Sequence, residues 1–174
     1  ILRRYHNIEK PTFAQIKEYY DSTLHPDELD LNDQKVYKNI FHDGKFAGIF
    51  QFTNTGAQRL SKKSKPTDII DISAITSIYR PGPLSANVDR LYVKAKRDND
   101  TYYHNDIIEE VTKETYGFLI FQEQIALLAN RLGEGITIEE GNKLRKLLTK
   151  KGGGSKAKEK ESIRKRFIEG CVNK

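Results

Sequence analysis

The 174-residue sequence has no methionine, no tryptophan, one cysteine and five prolines. A single cysteine, Cys171, cannot close an internal disulfide. A disulfide-stapled secreted scaffold is therefore excluded, and the chain is expected in a reducing compartment, the cytoplasm. No apolar run approaches the roughly 20 residues that span a bilayer, and no signal peptide is visible, so no membrane partner is expected. A chain that lacks Met even at its first position, Ile1, is expected to be a segment of a longer protein. The P-loop, the G-x-G-x-x-G turn and the nucleophile elbow are absent. The four histidines (His6, His25, His42, His104) are scattered, with no Cys or Glu at metal-ligand spacing. The acidic stretch "HPDELDLND" and the pair Asp98 and Asp100 read as solvated turns, without the glycine and spacing of a calcium loop. No catalytic residue and no metal ligand is assigned to this chain.

What is present suits a folded, mainly α domain. Apolar residues make up 37% of the chain, with eight Phe and nine Tyr, enough for a modest core. Phe13, Ile16, Tyr19 and Tyr20 recur at helical spacing after Pro11. "FAGIFQF", residues 46–52, is apolar and short enough for a strand or a buried turn. In 67–79 the stripe Ile69, Ile72, Ile75 or Thr76, and Tyr79 predicts a helix. It should stop at "YRPGPL", where Pro81-Gly82 suits the centre of a type II turn. Phe121, Ile125, Leu128 and Leu132 predict the clearest helix, ended by Gly133.

The remaining residues are strongly basic. Residues 143–174 hold twelve Lys or Arg against three Glu, a balance of +9, which leaves −3 for residues 1–142. Thr137 and Glu140 form a T-x-x-E capping box that opens a basic helix over 138–150. On it Leu144, Leu147 and Leu148 share one face, while Asn142, Arg145, Lys146 and Lys150 project from the other. A second basic helix is expected over 156–169, with Ile163, Phe167 and Cys171 on its buried stripe. Glycines 152–154 separate the two and would let backbone approach a ligand closely. Charge alone leaves two readings open, a polyanion-binding surface and a solvated lysine-rich face.

Four motifs in fixed order narrow the choice. "GIFQF" (48–52), "YRPGPL" (79–84), "TYGFLIFQEQI" (115–125) and "LRKLLTKK" (144–151) resemble the fingers region of the bacterial or phage replicative DNA polymerase III alpha subunit, a C-family DNA polymerase. The resemblance runs from about Asp33 to Gly170, and from Gln51 through Pro66, Asp71 and Ala74 to Arg80 it needs no gap. It implies residues 1–30 as a helix and connection following the palm, and 31–174 as an irregular multi-helix fingers domain with short strands or turns near 46–52.

Such polymerases join nucleotides by in-line attack of the primer 3′-hydroxyl, with Mg²⁺ held by palm aspartates. No counterpart of those aspartates is found in residues 1–174, so the isolated chain is expected to be inactive. The fingers grip the incoming deoxynucleoside triphosphate and the primer–template. The family's "LRR" pair carries over to Arg145 and Lys146, facing the triphosphate, and Arg80 and Gly82 of "RPGP" to a turn near the nucleotide pocket. Lys150 and Lys151, with Lys158 and Lys160 of the second cluster, are expected along the DNA backbone. The implied partners are primer–template DNA, deoxynucleoside triphosphates, the palm and replisome proteins. Departures from the family pattern are Thr53-Asn54 for Glu-Ser, His104-Asn105 for His-Pro, Lys146 for the second Arg of "LRR" and Thr149 for a glycine. They leave open a second class, a non-catalytic nucleic-acid-binding module that kept the fold.

Overall fold

The computed structural model describes residues 1–99, 101–149 and 155–173, all in helices and their connections, with no strand among them. The chain divides into two compact units, Ile1–Gln34 and Lys35–Lys174. In the first, α1 (Leu2–His6) ends at Asn7 in the left-handed conformation, φ 56°. Helix α2 (Phe13–Tyr19) opens at Thr12, whose hydroxyl accepts from the Gln15 amide while the Gln15 side chain accepts from the Thr12 amide. A π-helical turn, Tyr20–Leu24, follows. The helix expected after Pro11 is present, but Phe13, at 81% exposure, and Ile16 face outward.

The second unit starts within α3 (Gln34–Val36), which runs into a π-helical turn at Tyr37–His42 that buries Tyr37 and Phe41. "FAGIFQF" resolves as turns. Amides of Ile49 and Phe52 bond the carbonyls of Phe46 and Ile49, and Gly48 and Gln51 take positive φ. This winding drives Phe46 and Phe52 inward, where their rings stack 5.4 Å apart, and leaves Phe50 85% exposed. Phe41 meets Phe52 edge-on at 5.4 Å.

Helices α4 (Thr55–Ser64) and α5 (Ile69–Ile78) are each capped by a side chain, Asn54 to the Gly56 amide and Asp68 to the Asp71 amide. Helix α5 is rolled away from the expected stripe: it buries Asp71, Ala74, Ile75 and Ile78 and exposes Ile69. Asp71 earns that position through its partners. It accepts from the Thr67 amide (2.8 Å), the Thr67 hydroxyl (3.1 Å) and the Tyr92 hydroxyl (2.9 Å), and it pairs with Lys96. Tyr92 and Lys96 both belong to α7 (Val88–Asp98). No type II turn forms at Pro81-Gly82. Arg80 is the extended N-cap of a short helix, α6 (Pro81–Ser85), whose first position suits proline because it needs no N–H there.

Helix α8 (Asp106–Thr112) is capped by Asn105, which accepts from the Ile108 amide at 2.9 Å. Two of the departures from the family pattern, Asn54 and Asn105, are thus helix caps. Helix α9 (Gln122–Leu132) is entered through Gln124, which is buried. Its carbonyl accepts from the Ile120 and Phe121 amides, and its amide donates to the Val111 carbonyl and the Thr115 hydroxyl. Helix α10 (Ile138–Thr149) packs on α9, and α11 (Ser155–Asn173) packs on both.

Candidate functional site

The basic end is built on one carboxylate. Glu140 closes the expected capping box: its carboxylate accepts from the Thr137 amide (3.1 Å), and its own amide donates to the Thr137 hydroxyl (3.2 Å). The same carboxylate receives a forked pair of bonds from Arg166 of α11, at 2.7 and 3.2 Å. The Arg166 guanidinium and then the Thr137 amide hold the Glu140 carboxyl below its usual range, and Glu140 raises Arg166 in return. Arg166 also donates to the Gly135 carbonyl, and its own carbonyl accepts from the Glu134 amide. One cation of the tail is therefore structural.

Close backbone approach completes the joint. A Cβ on Gly141 would lie 2.6 Å from the Ala126 carbonyl oxygen, and one on Gly170 only 2.0 Å from that of Leu132. Ile163 is buried with Ala129 and Ile136, and Leu144 and Phe167 pack against them. Cys171, expected on that stripe, is exposed, because the inward place next to it is taken by Gly170, where α11 meets the end of α9. With Gly141 and Leu144 turned inward, Asn142, Lys143 and Lys146 lie on the exposed face of α10. The backbone of Arg145 belongs to α10, while its side chain is outside what the structure describes. Lys150, Lys151 and the glycines 152–154 lie outside the described residues.

On α11, Lys158 and Lys160 are exposed and make no ion pair among the described residues. Arg164 pairs with Glu161 at 2.9 Å, and Lys165 with Glu169 at 3.8 Å. Neither solvent-exposed pair contributes much to stability, but each matches a cation with an anion on the outer face.

The RPGP turn belongs to a different part of the unit. Helix α6 packs on α7, whereas α10 packs on α9 and α11, so Arg80 and Lys146 are carried by separate elements. The Arg80 side chain is exposed and has no hydrogen bond or ion pair among the described residues. A Cβ on Gly82 would meet nothing within 4 Å, and its φ does not require glycine. The fold itself has no use for a glycine there. Just before the turn, the Tyr79 hydroxyl donates to Asn54 Oδ1 at 3.0 Å, and Gly56 leaves the room its ring occupies. Among the described residues no group of three or more His, Cys, Asp or Glu could hold a metal ion, and no helix is long and apolar enough to cross a membrane.

The sequence that builds this arrangement matches a known family. The model of the bacterial DNA polymerase III alpha subunit finger domain matches residues 7–174. The chain belongs to this family. A DNA polymerase III subunit alpha from Aquifex aeolicus is 38% identical over 160 residues, 91% of this chain and 13% of that protein. Its counterpart from Halalkalibacterium halodurans is 31% identical over 91% of the chain and 14% of its own length. That of Treponema pallidum is 36% identical over 70% of the chain and 10% of its own length. The chain thus spans about one seventh of the length of the curated relatives it matches.

The inner devices of the fingers fold were invisible as motifs. Glu140 was expected as a cap but not as the partner of Arg166, and Asp71 was not expected to be buried at all. The lone charged residue of a helix otherwise made of apolar and hydroxyl side chains is the signal that marks it.

Proposed function

We propose that this fingers chain serves a replicative DNA polymerase by binding the incoming deoxynucleoside triphosphate and the primer–template. The observation that carries the reading is the joint at Glu140. It fixes where α10 starts, and with Gly141 and Leu144 inward it turns Lys146 outward. Arg145 and Lys146 would take the triphosphate, the guanidinium as a fork and the ammonium as a compact charge. Arg80 and Gly82 would border the nucleotide pocket, an open surface where the absent side chain serves a ligand rather than the fold. Lys150, Lys151, Lys158 and Lys160 would follow the DNA backbone.

The palm, with aspartates that hold magnesium, is proposed to lie outside this chain, and the first 30 residues to connect to it. Magnesium there would activate the primer 3′-hydroxyl and neutralise the leaving phosphates. The chain's own work is positioning: holding the triphosphate's charge and orienting the nascent pair. A cytoplasmic replisome is the setting this implies. In the full polymerase, Arg145→Ala should raise the KM for nucleotides or lower kcat by about 10- to 100-fold, with DNA affinity nearly unchanged. Loss of DNA affinity alone would sink the assignment. Primer extension by the purified 174-residue chain with magnesium would contradict the external palm.

A further inference from the structure

Helices α4 and α7 and the last residue before the RPGP turn enclose a cleft of about 470 Å³. From α4 it is lined by Gly56, Arg59, Leu60 and Lys63, which fall at i, i+3, i+4 and i+7 and so form one face. From α7 come Asp89, Arg90 and Val93, and Tyr79 closes one end. Leu60 and Val93 make an apolar floor, and three cations stand around it against one carboxylate. Asp89 lies in the first turn of α7, where the helix dipole favours an anion whether or not a ligand is present. Lys63 and Arg90 are exposed and have no hydrogen bond or ion pair among the described residues. Among the described residues Arg59 makes only a long bond, 3.4 Å from Nε to the Thr55 carbonyl, which leaves the rest of its fork available. Three cations against the one Asp89 carboxylate leave an excess of positive charge in the cleft, and an anion there relieves the repulsion among them.

We propose that this cleft is a second phosphate-binding site, and that it holds the sugar–phosphate backbone of a single nucleic-acid strand. Phosphate oxygens are shared by a strand and by a free nucleotide, and the spacing favours the strand. Arg59 and Lys63 are four residues apart on one helix, so their stems leave the axis about 6 Å from each other. They are set to neutralise successive phosphates rather than converge on one. The trough also offers an aromatic ring and an apolar floor, against which a sugar or base can rest. Tyr79 is held for this by Asn54 and by the space above Gly56. The site shares no residue with the nucleotide-binding assignment of Arg145, Lys146, Arg80 and Gly82. The two readings therefore fail separately.

The test uses the 174-residue chain and an oligothymidylate of about 12 nucleotides, with inorganic triphosphate as the second probe. Replacing the three cations together (R59Q, K63Q, R90Q) should weaken oligonucleotide binding about tenfold or more. It should also soften the logarithmic salt slope by about two units, since each phosphate contact to a single strand contributes about 0.7. All three side chains are exposed, and unchanged thermal unfolding of the variant will separate binding from folding. In the unmodified chain the backbone amide resonances of Gly56 and Val93 should shift on adding the oligonucleotide and stay put on adding inorganic triphosphate. Unaltered affinity and slope in the triple variant would overturn the site. So would amides that respond to triphosphate in preference to the strand, since the cleft would then hold a nucleotide's phosphates.

Discussion

Around Tyr92 the fingers chain is held by rings and by one buried ion pair. Phe41, Phe46 and Phe52 interlock, Tyr92 is fully buried against Tyr116, and Asp71 and Lys96 are 2% and 10% exposed at the side chain. At the α9–α11 end the buried cluster among the described residues is Ala129, Ile136 and Ile163, and its ion pair, Glu140 with Arg166, is about one third exposed. The first region is stabilised by apolar area and by a charge pair that tolerates no loss of a partner. The second depends on backbone contact at two glycines and on a carboxylate that water can reach. The basic face projects from the second region. Its charges can therefore be altered with little effect on folding, while the first region keeps the scaffold in place.

The sharpest way to break this contrast is Asp71→Ala. It leaves Lys96 and the Tyr92 hydroxyl buried without their partner and should lower stability by about 3–5 kcal/mol, read by urea unfolding. Adding Lys96→Met should restore part of that loss, since no buried charge then remains. Gly170→Ala tests the other region. Its Cβ would meet backbone, so a cost of about 1–3 kcal/mol is expected, a size that apolar area alone would not predict for one methyl group.

The pH dependence separates the regions by direction. The Glu140 carboxyl is depressed in the folded state, so its contribution is present above the ordinary carboxylate pKa and fades as pH falls through the lower folded value. Glu140→Gln should flatten that acid limb. Burial, reinforced by the Asp71 charge, pushes the Tyr116 hydroxyl up to about 12 and raises Tyr92 as well. A raised pKa gives stability that is complete below about 10 and is lost as pH climbs past it. In a spectrophotometric titration, two of the nine tyrosines should ionise late, together with unfolding. The smallest effect is expected for Gly82→Ala, within about 0.5 kcal/mol, because its added Cβ meets nothing. A larger loss would mean that glycine serves the fold after all.

Local pattern carried the reading as far as local physics reaches. The T-x-x-E box at Thr137 and Glu140, the helix ended at Gly133 and the inward Ile163 all follow from residues three or four apart. The roll of α5 does not, because Asp71 is drawn inward by Tyr92 and Lys96, 21 and 25 residues away. Pro81-Gly82 was misread for another reason: proline's fixed φ suits both the turn and the first position of a helix. Cys171 looked like the core position by hydropathy, yet a close helix contact selects the residue with no side chain at all. Arg166 was one of the twelve cations counted in the basic tail, and nothing in the local pattern pointed to its carboxylate. The outward direction of Lys146 was legible from Leu144, whereas the cations of the α4–α7 cleft, at 59, 63 and 90, gave no signal because no single helix carries all three.

The fit of Tyr79 over Gly56 also orders the substitutions open to descendants of this sequence. A Cβ at position 56 would lie 1.9 Å from the Tyr79 hydroxyl. A residue larger than glycine arriving there first would expel the ring and break its bond to Asn54, and it would disturb the chain entering Arg80. Were Tyr79 to shrink first, position 56 would be free to vary afterwards. The pair can thus drift in one order and not the other, a ratchet in sequence space set by a single ring.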